Sequence, residues 1–130
     1  WTGMVDREPS AGPFHDWNER IHHECYRSNA FARIYENGRV AAIVNNYAQV
    51  SFNAGPTLMS WLQRHHPNTY QALIDADRDS AQRRGGHGNA IAQGYSHAIL
   101  PLATPRDRLT QIRWGLADFR HRFGREAESL

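Results

Sequence analysis

The stretch Gln49-Val50-Ser51-Phe52-Asn53-Ala54-Gly55-Pro56 decides the fold class, because in it a strand pattern runs directly into a helix start. Val50 and Phe52 alternate with polar neighbours, which is typical of a half-buried strand. Ala54-Gly55 ends that strand, and Pro56 fits the first position of a helix. We therefore predict a strand over 49–53 followed at once by a helix.

A first helix is predicted before this strand. Asp16 can cap it, with Glu19 as the reciprocal partner of a capping box. Its apolar face is expected at helical spacing and consists of Trp17, Ile21, Cys25, Ser28 and Ala32. Asn37-Gly38 either stops this helix or forms a turn, and the state of the apolar run 40–44 stays open. Residues 1–15 are predicted to be an extended loop.

After the strand over 49–53, the sequence predicts three further helices and a second strand. Leu58, Trp61 and Leu62 give the helix after Pro56 an apolar face, and Pro67 starts another helix that ends at Gly85-Gly86. Residues 87–100 are predicted to hold a strand and a loop. A long amphipathic helix then starts at Thr104-Pro105, where Asp107 completes a capping box, and it ends at Gly124. Its predicted apolar face consists of Leu109, Ile112, Leu116, Phe119 and Phe123.

The order of these elements predicts an α/β fold, helix-rich, with two or three short parallel strands, because strands separated by helices form parallel units. Residues 1–130 are interpreted as a single domain. So few strands do not complete a sheet that is covered on both faces. The chain is therefore either part of a larger α/β barrel or a mostly helical fragment. It starts at Trp1, and we expect it to begin inside a longer protein.

The composition and charge of the chain exclude some classes of binding partner. No apolar run approaches the roughly 20 residues that span a bilayer, so no membrane partner is expected. The net charge is only +2, and the basic residues, all Arg, are scattered along the chain. A nucleic-acid groove would need a concentrated patch, so no nucleic-acid partner is expected. The single cysteine, Cys25, excludes an internal disulfide framework and indicates a reducing, cytoplasmic location.

Metal and nucleophile motifs are not recognised in the sequence. His22-His23 and His65-His66 lack the spacing of two ligands on one helix face, so they are interpreted as exposed helical histidines. No G-x-S-x-G nucleophile elbow occurs, and Gly85-Gly86-His87-Gly88 lacks the Lys-Ser/Thr of a phosphate loop. We predict neither a metal nor another cofactor.

The stretch from Gly86 to His97 is the most informative candidate site. His87, Asn89, Gln93 and His97 can form directional hydrogen bonds, and small residues separate them. In parallel α/β folds, ligand sites lie at the carboxyl ends of strands. Asn45-Asn46-Tyr47 and Asn53 add a second polar group at the end of the first strand. Amides and imidazoles beside aromatic rings suit sugar hydroxyls and sugar faces. The alternative interpretation is a Gly-rich connecting loop with ordinary caps.

The chain as a whole resembles the N-terminal part of a glycoside hydrolase family 57-like domain of a bacterial branch. The similarity spans nearly the whole chain in blocks whose order and spacing together are specific. The blocks are Pro13-Phe14-His15-Asp16-Trp17-Asn18-Glu19-Arg20-Ile21, Glu24-Cys25-Tyr26, Asn45-Asn46-Tyr47, Ser51-Phe52-Asn53-Ala54-Gly55-Pro56-Thr57-Leu58, Gly86 to Leu102, Thr110 to Phe119, and Arg122-Phe123-Gly124-Arg125.

The resemblance implies an incomplete (β/α)7 barrel and retaining hydrolysis or transfer at α-glucosidic bonds, which needs two close carboxylates. In the family both carboxylates follow the segment that this chain covers, so the resemblance implies no catalytic residue here and no activity for the chain alone. Asn89 stands where typical members carry Glu. The implied substrate-binding residues are Asn53, His87, Asn89 and His97, and the implied partners are an oligo- or polysaccharide and the remainder of the barrel.

Two other functions stay open from the sequence. One is an Arg-rich helical module that binds nucleic acid, which salt-dependent binding to DNA would favour. The other is a metal-dependent barrel related to deacetylases or mannosidases, which zinc held by histidines would favour.

Overall fold

The computed structural model describes residues 6–130 and combines helices with two small sheets. Residues 1–5 of the predicted N-terminal loop lie outside the described residues. The helices are α1 (Trp17–Ile21), continued by a π-helical segment (His22–Tyr26) and by α2 (Arg27–Ala30), then α3 (Pro56–His65), α4 (Pro67–Arg83) and α5 (Pro105–Phe123). The strands are β1 (Ala32–Glu36), β2 (Arg39–Val44), β3 (Phe52–Asn53) and β4 (Ala90–Ile91), and short 3₁₀ turns occur at Pro9–Ala11, Asn46–Ala48 and Leu100–Leu102.

The N-terminal helix starts where the sequence predicts but buries a different face. Asp16 Oδ1 accepts the backbone N–H groups of Asn18 at 2.8 Å and Glu19 at 3.0 Å, which confirms the cap. The predicted apolar face is wrong, since Trp17 and Cys25 are exposed whereas His22 is buried. A π turn contains more residues than an α turn, so the segment 22–26 shifts the helical spacing on which that prediction relied.

A two-stranded hairpin replaces the predicted end of this helix. β1 and β2 pair antiparallel, and Asn37 (φ 50°) and Gly38 (φ 74°) form the turn. A two-residue turn with positive φ at both positions favours Asn-Gly and matches the twist of paired strands. The extension of the first helix to Ala32 is therefore wrong, and the apolar run 40–44 is a strand.

The two strands predicted on either side of the central helices pair in parallel, as expected. Phe52 lies opposite Ala90 and Asn53 opposite Ile91, while α3 and α4 form the crossover between them. β3 is shorter than the predicted strand over 49–53, because a 3₁₀ turn precedes it and Val50 is exposed. β4 lies within 87–100, where a strand and a loop are predicted. The chain is thus mixed helix and strand, with one parallel unit and one antiparallel hairpin.

The core lies between β3, β4 and the helices α3, α4 and α5. Met59 and Leu62 of α3 are fully buried, and Leu73 and Phe119 pack in the same cluster from α4 and α5. The predicted helix starts are confirmed, since Pro56, Pro67 and Pro105 occupy first turns and Thr104 Oγ1 accepts the Asp107 N–H at 3.2 Å.

Helix α5 approaches the chain after β4 closely. A Cβ on Gly115 would overlap the backbone of Gln93 and press on that of Tyr95, so only glycine allows this contact. Further N-terminal on α5, Leu109 is exposed although the sequence places it on the apolar face. Within residues 6–130, no helix is both long and apolar enough to cross a membrane.

A buried ion pair holds β4 against α4. Asp77 is 2% exposed, and its Oδ1 accepts the Ala90 N–H at 2.8 Å. The Arg125 guanidinium donates to both carboxylate oxygens, at 2.9 Å from Nε and 2.8 Å from Nη2, and Nη2 also donates to the Ala90 carbonyl. Hydrogen bonding to Asp77 raises the pKa of Arg125 despite partial burial.

Candidate functional site

Two amide side chains meet at the carboxyl edge of the parallel strand pair. Asn53 is the last residue of β3, and Gln93 follows β4 by two residues. Asn53 Nδ2 donates to Gln93 Oε1 at 3.1 Å. The Gln93 side chain also lies against Gly55, where a Cβ would overlap it, just before α3 begins. The pair therefore joins both strand ends to the start of the crossover helix and leaves Asn53 exposed.

An aromatic pair lies beside this edge. Trp114 precedes the close-packed Gly115 on α5, and its side chain is 56% exposed. Its ring meets Tyr95 edge to face, with centroids 5.7 Å apart. The Gln111 carbonyl accepts the Tyr95 N–H at 3.1 Å, which fixes the chain after Gln93 against α5. We call Asn53, Gln93, Tyr95 and Trp114 the strand-edge site.

Asn89 does not line this edge, contrary to the prediction. It is 1% exposed, its Nδ2 donates to the Tyr47 carbonyl at 3.0 Å, and its Oδ1 accepts from Arg84. Its backbone N–H donates to Ser80 Oγ at 2.9 Å. Because every polar group of this side chain is used inside the protein, Asn89 supports the start of β4 instead of facing a ligand.

The two predicted histidines also lie apart from the strand edge. His87 is exposed, with Nδ1 2.9 Å from Glu128 Oε2. His97 is exposed at a positive φ of 54°, and its N–H donates to the Gly94 carbonyl. Among the described residues, no side-chain hydrogen bond or ring contact joins any two of Asn53, His87, Asn89 and His97. The structure instead joins Asn53 to Gln93, which the sequence names only as a hydrogen-bonding residue of the second stretch.

The polar group that precedes β3 is structural as well. Asn45 Nδ2 donates to the Ala72 carbonyl at 2.7 Å, and its Oδ1 accepts the Tyr47 N–H. Asn46 Nδ2 donates to Asn29 Oδ1 at 3.1 Å. These amides fasten the 3₁₀ turn before β3 to α4 and α2, so they are not available to a ligand.

A cleft of about 770 Å³ opens at the other end of α3. It lies between the N-terminal helix, the hairpin and the start of α4. The lining residues are His22, His23, Arg27, Ser28, Phe31, Arg33, Tyr35, Ile43, His65, His66, Pro67, Asn68 and Thr69. We call this cavity the imidazole cleft, because four histidines line it.

Two of these histidines form a compact polar cluster with Glu19. The rings of His22 and His66 stack with centroids 3.6 Å apart and planes 17° apart. His66 Nε2 is 3.0 Å from both carboxylate oxygens of Glu19, so the predicted reciprocal capping role of Glu19 is wrong. His22 Nε2 lies 2.9 Å from Thr69 Oγ1, and the Trp61 ring lies 4.9 Å from that of His66.

Burial keeps His22 neutral. It is 5% exposed, and desolvation lowers the pKa of His22 from 6.5 to about 4, with smaller contributions from the positive charges of His66 and Arg27. The interpretation of His22 as an exposed helical histidine is therefore wrong. A neutral imidazole beside a carboxylate and a second imidazole can share protons or bind a cation.

Comparisons of the chain with protein-family models, curated proteins and solved structures find no match. Function is therefore inferred from the residues of the chain itself.

Proposed function

We infer that this chain is the sugar-binding portion of a carbohydrate-active α/β barrel of the glycoside hydrolase family 57 type, which acts on α-glucan-type polysaccharide. The observation that carries this proposal is the parallel pair β3–β4 with Asn53 and Gln93 joined at its carboxyl edge. Ligands of parallel α/β folds bind at this edge, because the loops after the strands converge there.

The chemistry of the strand-edge site supports a sugar ligand. An amide offers both donors and an acceptor, so it can hydrogen-bond a hydroxyl group in either sense. The exposed ring of Trp114 offers an apolar face next to Tyr95, which follows Gln93 by two residues. A few directional polar groups combined with aromatic side chains are the usual lining of a small-molecule site.

The remainder of the barrel is the proposed protein partner. Within residues 6–130, β3 and β4 pair only with each other. The outer edge of β4 is already bonded at Ala90 to Asp77 and Arg125, so the edge that a further strand can extend is that of β3. Ile99 and Leu102, which follow the strand-edge site, are 68% and 82% exposed. In this proposal the remainder covers these side chains and supplies the two catalytic carboxylates, and this chain supplies substrate contacts.

Binding of maltoheptaose by the 130-residue chain tests the proposal. Asn53→Ala and Gln93→Ala should each weaken binding about five- to tenfold, because each removes roughly one net hydrogen bond. Gln71→Ala is the matched control, since Gln71 is an exposed amide on α4 that bonds Asp75. Calorimetric titration measures the four affinities.

Equal affinity of the three variants and the parent chain for maltoheptaose would contradict a sugar site at the strand edge. Binding to duplex DNA that falls steeply with salt, without any affinity for the glucan, would favour the nucleic-acid module instead.

A further inference from the structure

We propose that Glu19, His22 and His66 bind a divalent transition metal of the zinc class at the wall of the imidazole cleft. Their ligand atoms all lie within 4.8 Å of one another. Glu19 and His22 come from one turn of the N-terminal helix, and His66 is the residue between α3 and α4. Two imidazoles and a carboxylate are the ligand set of many catalytic zinc sites, and the same set holds non-haem iron(II).

The spacing of two of the ligands already approaches that of a metal site. The Glu19 carboxylate oxygens lie 3.0 Å from His66 Nε2. Two ligands on a tetrahedral zinc with bonds of about 2.0–2.1 Å lie roughly 3.3 Å apart. A metal between them therefore needs this carboxylate and this imidazole to separate by only a few tenths of an ångström.

Groups around the three ligands hold them in place. His22 Nε2 is hydrogen-bonded to Thr69 Oγ1, and Thr69 is 2% exposed. A metal-binding imidazole usually donates its second ring N–H to such a partner, which fixes the tautomer and the ring orientation. In the metal-bound form, His22 Nε2–H donates to Thr69 and Nδ1 binds the ion. Stacking on His22 and contact with Trp61 hold the ring of His66.

The cleft gives the metal an accessible position. Three protein ligands leave a fourth tetrahedral position for water or substrate, and His22 and His66 both line the cavity of about 770 Å³. This site is separate from the strand-edge site. Asn53 precedes the start of α3, and His66 follows the end of this 10-residue helix, which is about 15 Å long at 1.5 Å per residue. The metal proposal does not depend on the sugar proposal. Zinc in this cleft would also not favour the metal-dependent barrel, whose metal belongs at the carboxyl ends of the strands.

Zinc and cobalt titration of the full 130-residue chain tests this inference. The chain carries Cys25→Ser throughout, because the exposed thiol of Cys25 would itself bind zinc. Competition with a chromophoric chelator gives the affinity for Zn(II), and the visible absorption of Co(II) reports the ligand geometry. We expect one ion per chain and a four-coordinate cobalt spectrum.

Five single variants separate the cluster from its neighbours. Glu19→Gln, His22→Asn and His66→Asn should each weaken Zn(II) binding by about tenfold or more. His23→Asn and His65→Asn are the matched controls, since both residues line the same cleft outside the cluster, and they should keep the parent affinity. Circular dichroism of the metal-free variants verifies folding. If His22→Asn unfolds, Glu19→Gln and His66→Asn still test the metal site. Both side chains are partly exposed, so these two variants are expected to fold.

The proposal is wrong if the parent chain binds no zinc, or if the five variants bind it alike. It is also wrong if His23→Asn or His65→Asn loses as much affinity as Glu19→Gln and His66→Asn do. Glucan binding is measured with different variants, so failure of one proposal leaves the other intact.

Discussion

Replacing Asp77 by Ala is expected to lower the free energy of unfolding by about 3–5 kcal/mol, which is the usual cost of removing one partner of a buried ion pair. The Asp77 carboxylate accepts two hydrogen bonds from Arg125 and one from the Ala90 N–H. Without it, the Arg125 guanidinium, 17% exposed, keeps only Glu128 as a counter-charge, with Glu128 Oε1 3.6 Å from Nη1 and the Glu128 side chain 52% exposed. The Ala90 N–H group of β4 also loses its acceptor. The loss of stability should therefore extend to the strand pair that carries the strand-edge site.

Urea denaturation followed by circular dichroism measures this loss. Asp75→Ala is the matched control, because Asp75 pairs with Arg78 on the same helix but both side chains are well exposed. Exposed pairs contribute little, so the control should change stability by about 0.5 kcal/mol or less. The double variant of Asp77 and Arg125 to Ala should be less destabilised than the sum of the two single variants. Strict additivity would contradict the buried pair.

Replacing Asn89 by Ala is expected to cost about 2–3 kcal/mol of stability, because buried partners are left unsatisfied. The Tyr47 carbonyl loses its donor, and Arg84 loses its acceptor. Asn53→Ala is the control, since the exposed amide of Asn53 supports no buried partner, and it should change stability by about 0.5 kcal/mol or less. Thermal or urea denaturation of both variants provides the comparison.

Asn89→Ala and Asn53→Ala together distinguish a structural residue from a sugar-binding residue. Asn89→Ala should unfold more easily, and Asn53→Ala should remain stable and bind maltoheptaose less tightly. An Asn89→Ala variant with full stability and reduced glucan affinity would indicate that Asn89 contacts the sugar, and it would contradict the structural role of this residue.

Local hydrogen-bond chemistry made part of the fold predictable. Pro56, Pro67 and the Thr104–Asp107 cap mark helix starts that depend only on residues within one turn, and all are present. The buried face of the N-terminal helix is harder to predict, because the π turn at 22–26 changes the residue spacing along that face. The hairpin turn at Asn37-Gly38 carries a strong local signal, but the apolar residues before it also fitted a helix.

The candidate sites were less predictable, because their decisive contacts join distant residues. The meeting of Asn53 with the second stretch followed from the parallel pairing of strands, which the element order indicates. The Asn89 side chain is buried against Tyr47, which lies 42 residues away, and no local sequence pattern predicts this contact. The same applies to the imidazole cleft, where His22 and His66 stack only because the first helix packs beside the junction of α3 and α4.

Side-chain NMR during a maltoheptaose titration is the most direct measurement of the proposed sugar site. The NH₂ signals of Asn53 and Gln93 and the indole N–H signal of Trp114 should shift together and saturate, while the NH₂ signal of Gln71 stays in place. Saturable binding that leaves Asn53, Gln93 and Trp114 unshifted, or no binding at all, would contradict a glucan site at the carboxyl edge of β3 and β4.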